Sequence, residues 1–387
     1  MSFITADRIH DGHKWLPLGT VLEVADDGTI IAFHSDVKDG VIFYEGVLTP
    51  GFINAHCHLE LSHMKGVVPE QTGLIPFLQS IPKYRNDYSE EQKKEARHKG
   101  YEELLKNGVV AVGDIANVTD TIDVRGLDKL HVHSFVEAIG FAENPEKQFA
   151  RSADVYAAFA AQAAGSKKLR QSIVPHAPYS VSFRLFRMID DHDKQALISI
   201  HNQESRAEDE YYLLKKGPVQ SLLHGMNIDD DFFQPSGKTS LQTYLEWLSP
   251  THPFIFIHNT YTSLTDIQLA KAYLQDVYWC FCPNANLYIE NALPDVDMFV
   301  REHAKVCVGT DSLASNHQLS VLAELYTIKQ HYPHIDWETL ITWGTYNGAC
   351  ALQLADVAGS LQAGAQPGIL QLGGIDSNEQ PTVKRLF

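Results

Sequence analysis

The chain has 387 residues, 44% hydrophobic and 20% charged, and a formal net charge of −17, an ordinary globular balance long enough to bury a core without staples. The acidic balance excludes a nucleic-acid backbone as partner, which would need clustered Lys and Arg, and suits a soluble enzyme acting on a small molecule. No run approaches a membrane span, and the opening MSFITADRIHDGHKW lacks a basic segment followed by an apolar one, so neither a membrane anchor nor a signal peptide is expected.

Residues 1 to about 47 read as short β pieces, TVLEVADDGTIIAFH with an Asp-Gly hairpin signal and then GVIFYEG. From about residue 48, short apolar runs alternate with longer amphipathic segments, the pattern of βα units on a parallel sheet. The runs are GVLTPGFINAH, NGVVAVGDIA, LHVHSFVEAIG, SIVPHAPYS, ALISIHNQE, PFIFIHNTY, DVYWCFCPNAN and AKVCVGTDS. Eight is the count for a closed (β/α)8 TIM-type barrel. SEEQKKEARHKGYEELLKNG predicts a helix with Ser89 as N-cap, Gln92 as its capping-box partner and Gly108 as its stop. The Gly-rich tail from about residue 357 returns to the N-terminal strands. The expected organisation is therefore a small β-sandwich of residues 1–47 and 357–387 around a barrel of residues 48–356.

The five cysteines, Cys57, Cys280, Cys282, Cys307 and Cys350, are odd in number and mostly inside apolar runs, which predicts reduced buried thiols and a cytoplasmic location. Cys280-x-Cys282 has no second pair and reads as structural.

Barrel active sites lie where strands end in loops, and His56, His58, His176, His201, His258 and Asp311 each close or follow an apolar run. His56 and His58 are two apart on a strand, share a face and can grip one metal. With nineteen histidines, about one such pair arises by chance; His131-x-His133, at the start of its run, reads as structural. His201 can add a third nitrogen and Asp311 a carboxylate, a set that suits one Zn²⁺ or Fe²⁺. A lone buried histidine is more often a hydrogen-bonded core residue, so the weight lies in the joint position at strand ends. Glu204 can shuttle protons to a substrate nitrogen, or simply open the next helix. His258 can orient the attacking water or stabilise developing charge, and His176 can hydrogen-bond substrate or fill the end of its strand. Arg85 and Arg206 are candidates for an anionic substrate group, or surface residues. Trp247 and the Tyr211-Tyr212 pair can stack on a purine or pack between helices.

PGFINAHCHLELS, HNQES, FIHN and VGTDSLASN closely resemble the amidohydrolase superfamily, most of all its mononuclear deaminase branch, over roughly residues 48 to 350. The resemblance implies that His56, His58, His201 and Asp311 ligate one divalent metal, that Glu204 moves protons, that His258 assists the metal-bound hydroxide, and that His176 contacts substrate. SIVPHAPYS has no Lys where the binuclear branch carries a bridging one, so one metal is expected. Glu60 in HCHLELS and the GTDSLASN stretch look like aminodeoxyfutalosine deaminases of an alternative menaquinone pathway, and Glu60 joins the expected substrate contacts. CPNANLYI departs from the CPxSN pattern of the branch at Ala285. The expected activity is replacement of an exocyclic amine by oxygen on an adenosine derivative. Guanine, S-adenosylhomocysteine or triazine deamination, dechlorination, and a non-catalytic barrel that binds a small ligand are the alternatives. A homodimer is compatible with the sequence.

Overall fold

The computed structural model describes residues 1–36, 39–141, 144–377 and 379–387. The N-terminal segment forms β1 (Ser2–Ile9), β2 (Val21–Val24), β3 (Ile30–His34) and β4 (Val41–Pro50). The turn between β2 and β3 is built on Asp26-Asp27-Gly28, with Gly28 at φ +86° and Ala25 N–H donating to the Thr29 carbonyl at 2.8 Å, as an Asp-Gly hairpin signal requires. β4 continues past Gly46, whose φ of +89° accommodates a register shift against β1.

Eight strands follow: β5 (Phe52–Cys57), β6 (Val109–Ala116), β7 (His131–Ala138), β8 (Leu169–Pro175), β9 (Ile198–Asn202), β10 (Pro253–His258), β11 (Asp276–Phe281) and β12 (Val306–Val308). They form two parallel sheets, β5-β6-β7-β8 and β9-β10-β11-β12. Almost all their residues are buried, as in parallel strands covered on both faces. The two sheets meet at both outer edges. His201 N–H, on β9, donates to the His176 carbonyl beyond β8 at 3.0 Å, and Thr310 N–H, beyond β12, donates to the His56 carbonyl on β5 at 3.0 Å. Finally β13 (Ile369–Gly373) and β14 (Thr382–Arg385) complete a six-stranded sheet ordered β14-β13-β4-β1-β2-β3. Its own apolar cluster includes Ile4, Leu22, Ile30, Leu48 and Ile369.

The run GVLTPGFINAH is not one strand. β4 holds its first part and β5 its last, and the chain crosses between sheets at Gly51. A Cβ at Gly51 would lie 2.2 Å from a Val110 methyl and 2.8 Å from the Pro367 carbonyl, so the crossing needs glycine. Between β5 and β6, the helix Glu90–Lys106 starts on the Ser89/Gln92 capping box and is followed by Gly108 at φ +79°. No helix among the described residues is long and apolar enough to cross a membrane.

Candidate metal centre

His56 lies on β5 and His58 just past its end, while Cys57 between them points into the core, as strand alternation dictates. The Nε2 atoms of His56 and His58 are 3.2 Å apart, and His201 Nε2 is 3.3 Å from His58 Nε2. Asp311 Oδ1 stands 3.4 Å from His56 Nε2 and 3.3 Å from His58 Nε2. A tetrahedral cation with bonds of about 2.0–2.1 Å has ligand–ligand edges of about 3.3–3.4 Å, so the donors fit one small divalent ion. His258 also brings a nitrogen within 4.8 Å of donor atoms on His56, His201 and Asp311. His58 and His258 thus both stand beside the group formed by His56, His201 and Asp311.

The protons point outward. His201 Nδ1 is 2.8 Å from the His176 carbonyl, which only accepts, so Nδ1 carries the hydrogen and Nε2 presents a lone pair. His258 Nδ1 is 2.8 Å from Asn286 Oδ1, which fixes the same tautomer. Burial lowers the pKa values of His56, His201 and His258, and takes His58 down to about 3. Burial alone would raise the Asp311 carboxyl, but the His56, His58 and His258 imidazoles hold it well below the ordinary carboxylate range. Neutral imidazole lone pairs this close repel one another unless a cation stands between them.

The strand ends are held in place by their backbone. Asp311 (φ +55°), His258 (φ +69°), Asn259 (φ +60°) and Gln203 (φ +46°) all occupy the left-handed region without being glycine. Asp311 N–H donates to the His56 carbonyl at 3.1 Å, Asn259 Nδ2 to the Phe256 carbonyl at 2.8 Å, and Gln203 N–H to Glu208 Oε1 at 3.0 Å. Gly309 lets β12 close on β5, because a Cβ there would lie 2.7–2.9 Å from His56 Cβ, O and N. Ser315 Oγ donates to Asp311 Oδ2. Buried Glu324 accepts from Asn284 N–H (2.9 Å), Asn284 Nδ2 (3.0 Å) and Asn316 Nδ2 (2.8 Å), tying together the loops after β11 and β12.

Glu204 is buried with Oε2 3.7 Å from His258 Nε2. Burial, with the Asp311 and Glu290 charges, pushes its carboxyl well above the ordinary range, which favours the protonated form. His176 sits beside His201, its ring centre 4.9 Å away, with Nδ1 2.6 Å from Ser180 Oγ. Glu60 is buried and paired with Arg85 at 3.2 Å, and it accepts from Asn117 N–H at 3.0 Å and Asn117 Nδ2 at 3.2 Å. Arg206 is not brought into this group. It is exposed, with its guanidinium 4.7 Å from the Tyr261 ring centre. Tyr211 and Tyr212 are fully buried with hydroxyls on Asp230 and the Pro178 carbonyl, and Trp247 packs on Phe183 and Phe186. The five cysteines are free, and His133 hydrogen-bonds Ser172 Oγ near the start of β7, remote from the centre.

Four residues here escaped sequence reasoning: Asn286, Ser315, Glu324 and Glu137. Asn286 lies in the helix Pro283–Glu290 that follows β11, and Glu137 is the penultimate residue of β7, a strand-end position without a spacing partner. Ser315 and Glu324 act through loops and had no sequence signal. The segment after His58 is tied to the helix Pro283–Glu290. Gln71 N–H donates to the Tyr288 carbonyl at 2.5 Å, Gly73 N–H to the Ile289 carbonyl at 2.9 Å, and Tyr288 OH to the Val68 carbonyl at 2.5 Å.

Residues 47–382 match the sequence profile described as "Amidohydrolase family". An adenosine deaminase of Helicobacter pylori is 27% identical over 339 residues, covering 86% of this chain and 81% of that protein. An aminodeoxyfutalosine deaminase of Nitratiruptor sp. is 28% identical over 287 residues, covering 72% and 66%. Among solved structures, the Helicobacter pylori aminofutalosine deaminase in complex with methylthio-coformycin superposes with a TM-score of 0.82 at 23% identity, over 98% of this chain and 94% of that one. An adenosine deaminase from Xanthomonas campestris with bound zinc gives 0.71 at 20% identity, over 96% and 84%.

Proposed function

The chain belongs to the amidohydrolase family of hydrolases, and on that premise we propose that it is a hydrolytic deaminase of adenine-bearing nucleosides, with aminodeoxyfutalosine, and hence menaquinone biosynthesis, the first substrate to test. The observation that carries the reading is a buried Glu204 carboxyl, 3.7 Å from His258 Nε2, beside a converging set of three imidazoles and one carboxylate. The names of the relatives support the substrate class.

We assign His56, His58, His201 and Asp311 to hold one divalent ion; the donor set suits Zn²⁺, with Fe²⁺ also accepted. When bound, that ion supplies an acidified water as nucleophile at neutral pH. The residues of the chain do the rest. Glu204 gives its proton to the ring nitrogen next to the amine-bearing carbon, which makes that carbon electrophilic. His258, locked by Asn286, presents its Nε2 lone pair to accept the O–H of the attacking water and so orients it. Asp311 and Glu204 then take up the two water protons, one of which restores the proton that Glu204 gave and the other of which passes to the amine that departs as ammonia. His176 and the Glu60–Arg85 pair face substrate.

The seam bonds at both sheet edges support closure of β5–β12 into a (β/α)8 barrel, with the six-stranded sheet as a separate small β domain. Free buried thiols support a cytoplasmic setting. The test is an ammonia-release screen over adenosine, aminodeoxyfutalosine and methylthioadenosine, with guanine and a triazine as controls, on metal-analysed protein. Activity on guanine or triazine alone would move the substrate, and silence on all would remove the deaminase reading.

A further inference from the structure

β7 places His133, Phe135 and Glu137 on one face, and Glu137 is the member nearest the metal centre. It is buried. Its Oε2 accepts from Asn117 Nδ2 at 2.8 Å, the same amide group that binds Glu60. Its Oε1 lies 3.4 Å from His201 Nδ1. That nitrogen has one hydrogen, already directed to the His176 carbonyl at 2.8 Å, so Oε1 has no committed donor among the described residues. The oxygens of Glu60, by contrast, are engaged by Arg85 and by both nitrogens of Asn117.

A carboxylate oxygen of Glu137 and one nitrogen each of His176 and His201 lie within 4.8 Å of one another. This is not a second metal position, because the His201 nitrogen on that side carries a proton and has no lone pair to give. A carboxylate oxygen with no committed donor among the described residues, on a buried side chain 3.4 Å from His201 Nδ1, calls for a partner that arrives with the substrate. A hydroxyl both donates and accepts, so it satisfies Glu137 in either protonation state. A free purine base offers no hydroxyl, whereas a nucleoside offers those of its sugar.

We propose that Glu137 is a substrate-contacting residue that reads a sugar hydroxyl, so that the site takes nucleosides in preference to free bases; this rests on the deaminase reading above. The test is a cycle that removes each partner of the contact in turn. Adenosine, 2′-deoxyadenosine and 3′-deoxyadenosine are assayed with wild type and with Glu137→Ala, alongside zinc content. In wild type, one deoxy substrate is expected to lose about tenfold or more in kcat/KM. In Glu137→Ala that penalty should shrink to about twofold or less, with zinc content unchanged. If the variant keeps the wild-type penalty, or sheds its zinc, Glu137 is a structural support of His201 and the proposal is overturned. Should Glu137→Ala not fold, Glu137→Gln keeps the shape and is expected to move the same ratio by about threefold. A wild type that releases ammonia from guanine or a triazine but from no nucleoside would sink both this proposal and the nucleoside reading. Loss of the proposal alone is recognised by normal nucleoside turnover with an unchanged penalty.

Discussion

Burial and the charges of Asp311 and Glu290 raise the Glu204 carboxyl, which favours the protonated form that the proposed chemistry uses. Glu204→Gln keeps the shape and removes the acid. It is expected to lower kcat by about a thousandfold while metal content stays at one per chain; near-normal ammonia release would discard this role. Such a residue is partly legible in a sequence, since HNQES places a carboxylate just after a strand-ending histidine. His56, His58, His201, His258 and Asp311 were legible for the same reason, each standing at or just past a strand end. Glu137 also ends its strand, but a single Glu in FVEAIG has no spacing partner. Its meaning appears only when folding brings Asn117 and His201 beside it. Arg206 shows the reverse, a charge that looked available in sequence and is spent on the Tyr261 ring.

The eight apolar runs were readable because parallel strands buried on both faces are almost uninterrupted in hydrophobicity. The break at Gly51 was not, since GVLTPGFINAH continues the apolar pattern straight through a change of sheet. Close approach of backbones leaves little trace in a hydrophobic pattern, and Gly309 is the case with most consequence. Gly309→Ala forces a methyl against the backbone of His56. The expected result is a loss of about 2 kcal/mol of stability together with weakened metal binding, because the two ends of the ligand set separate. Denaturant unfolding and zinc titration of the variant check both; normal values for each would show that the seam can relax.

Taken as one folded object, the chain gathers three imidazoles and a carboxylate that have little reason to be close without a cation. Removing metal with a chelator should lower Tm, and returning zinc should raise it in step with the logarithm of free zinc, a stabilisation of about 4 kcal/mol at a thousandfold excess over Kd. A Tm indifferent to zinc would contradict the assigned ligand set. Two buried acids away from that set give the pH dependence. Burial raises Glu324 to about 8 and Asp114 to about 7. Between the ordinary carboxylate range and those values the folded chain holds protons that the unfolded chain has lost. Their stabilising contribution is therefore complete at low pH and fades as pH rises through about 7 to 8. Glu324→Gln cannot lose a proton, so its stability should fall less than wild type between pH of about 5.5 and 8. Equal slopes in denaturant unfolding would show that Glu324 is ionised throughout.

The left-handed residues at the strand ends have a consequence for anyone engineering this chain. Gln203, His258, Asn259 and Asp311 hold a conformation that glycine adopts freely, and each non-glycine residue there costs about 1 kcal/mol. Selection for heat resistance alone would therefore enrich glycine at these positions. At His258 and Asp311 every such gain would delete a side chain of the centre. The most tempting thermostabilising substitutions and the least tolerable ones for turnover fall on the same residues, so a library built on stability scores should exempt them from the start.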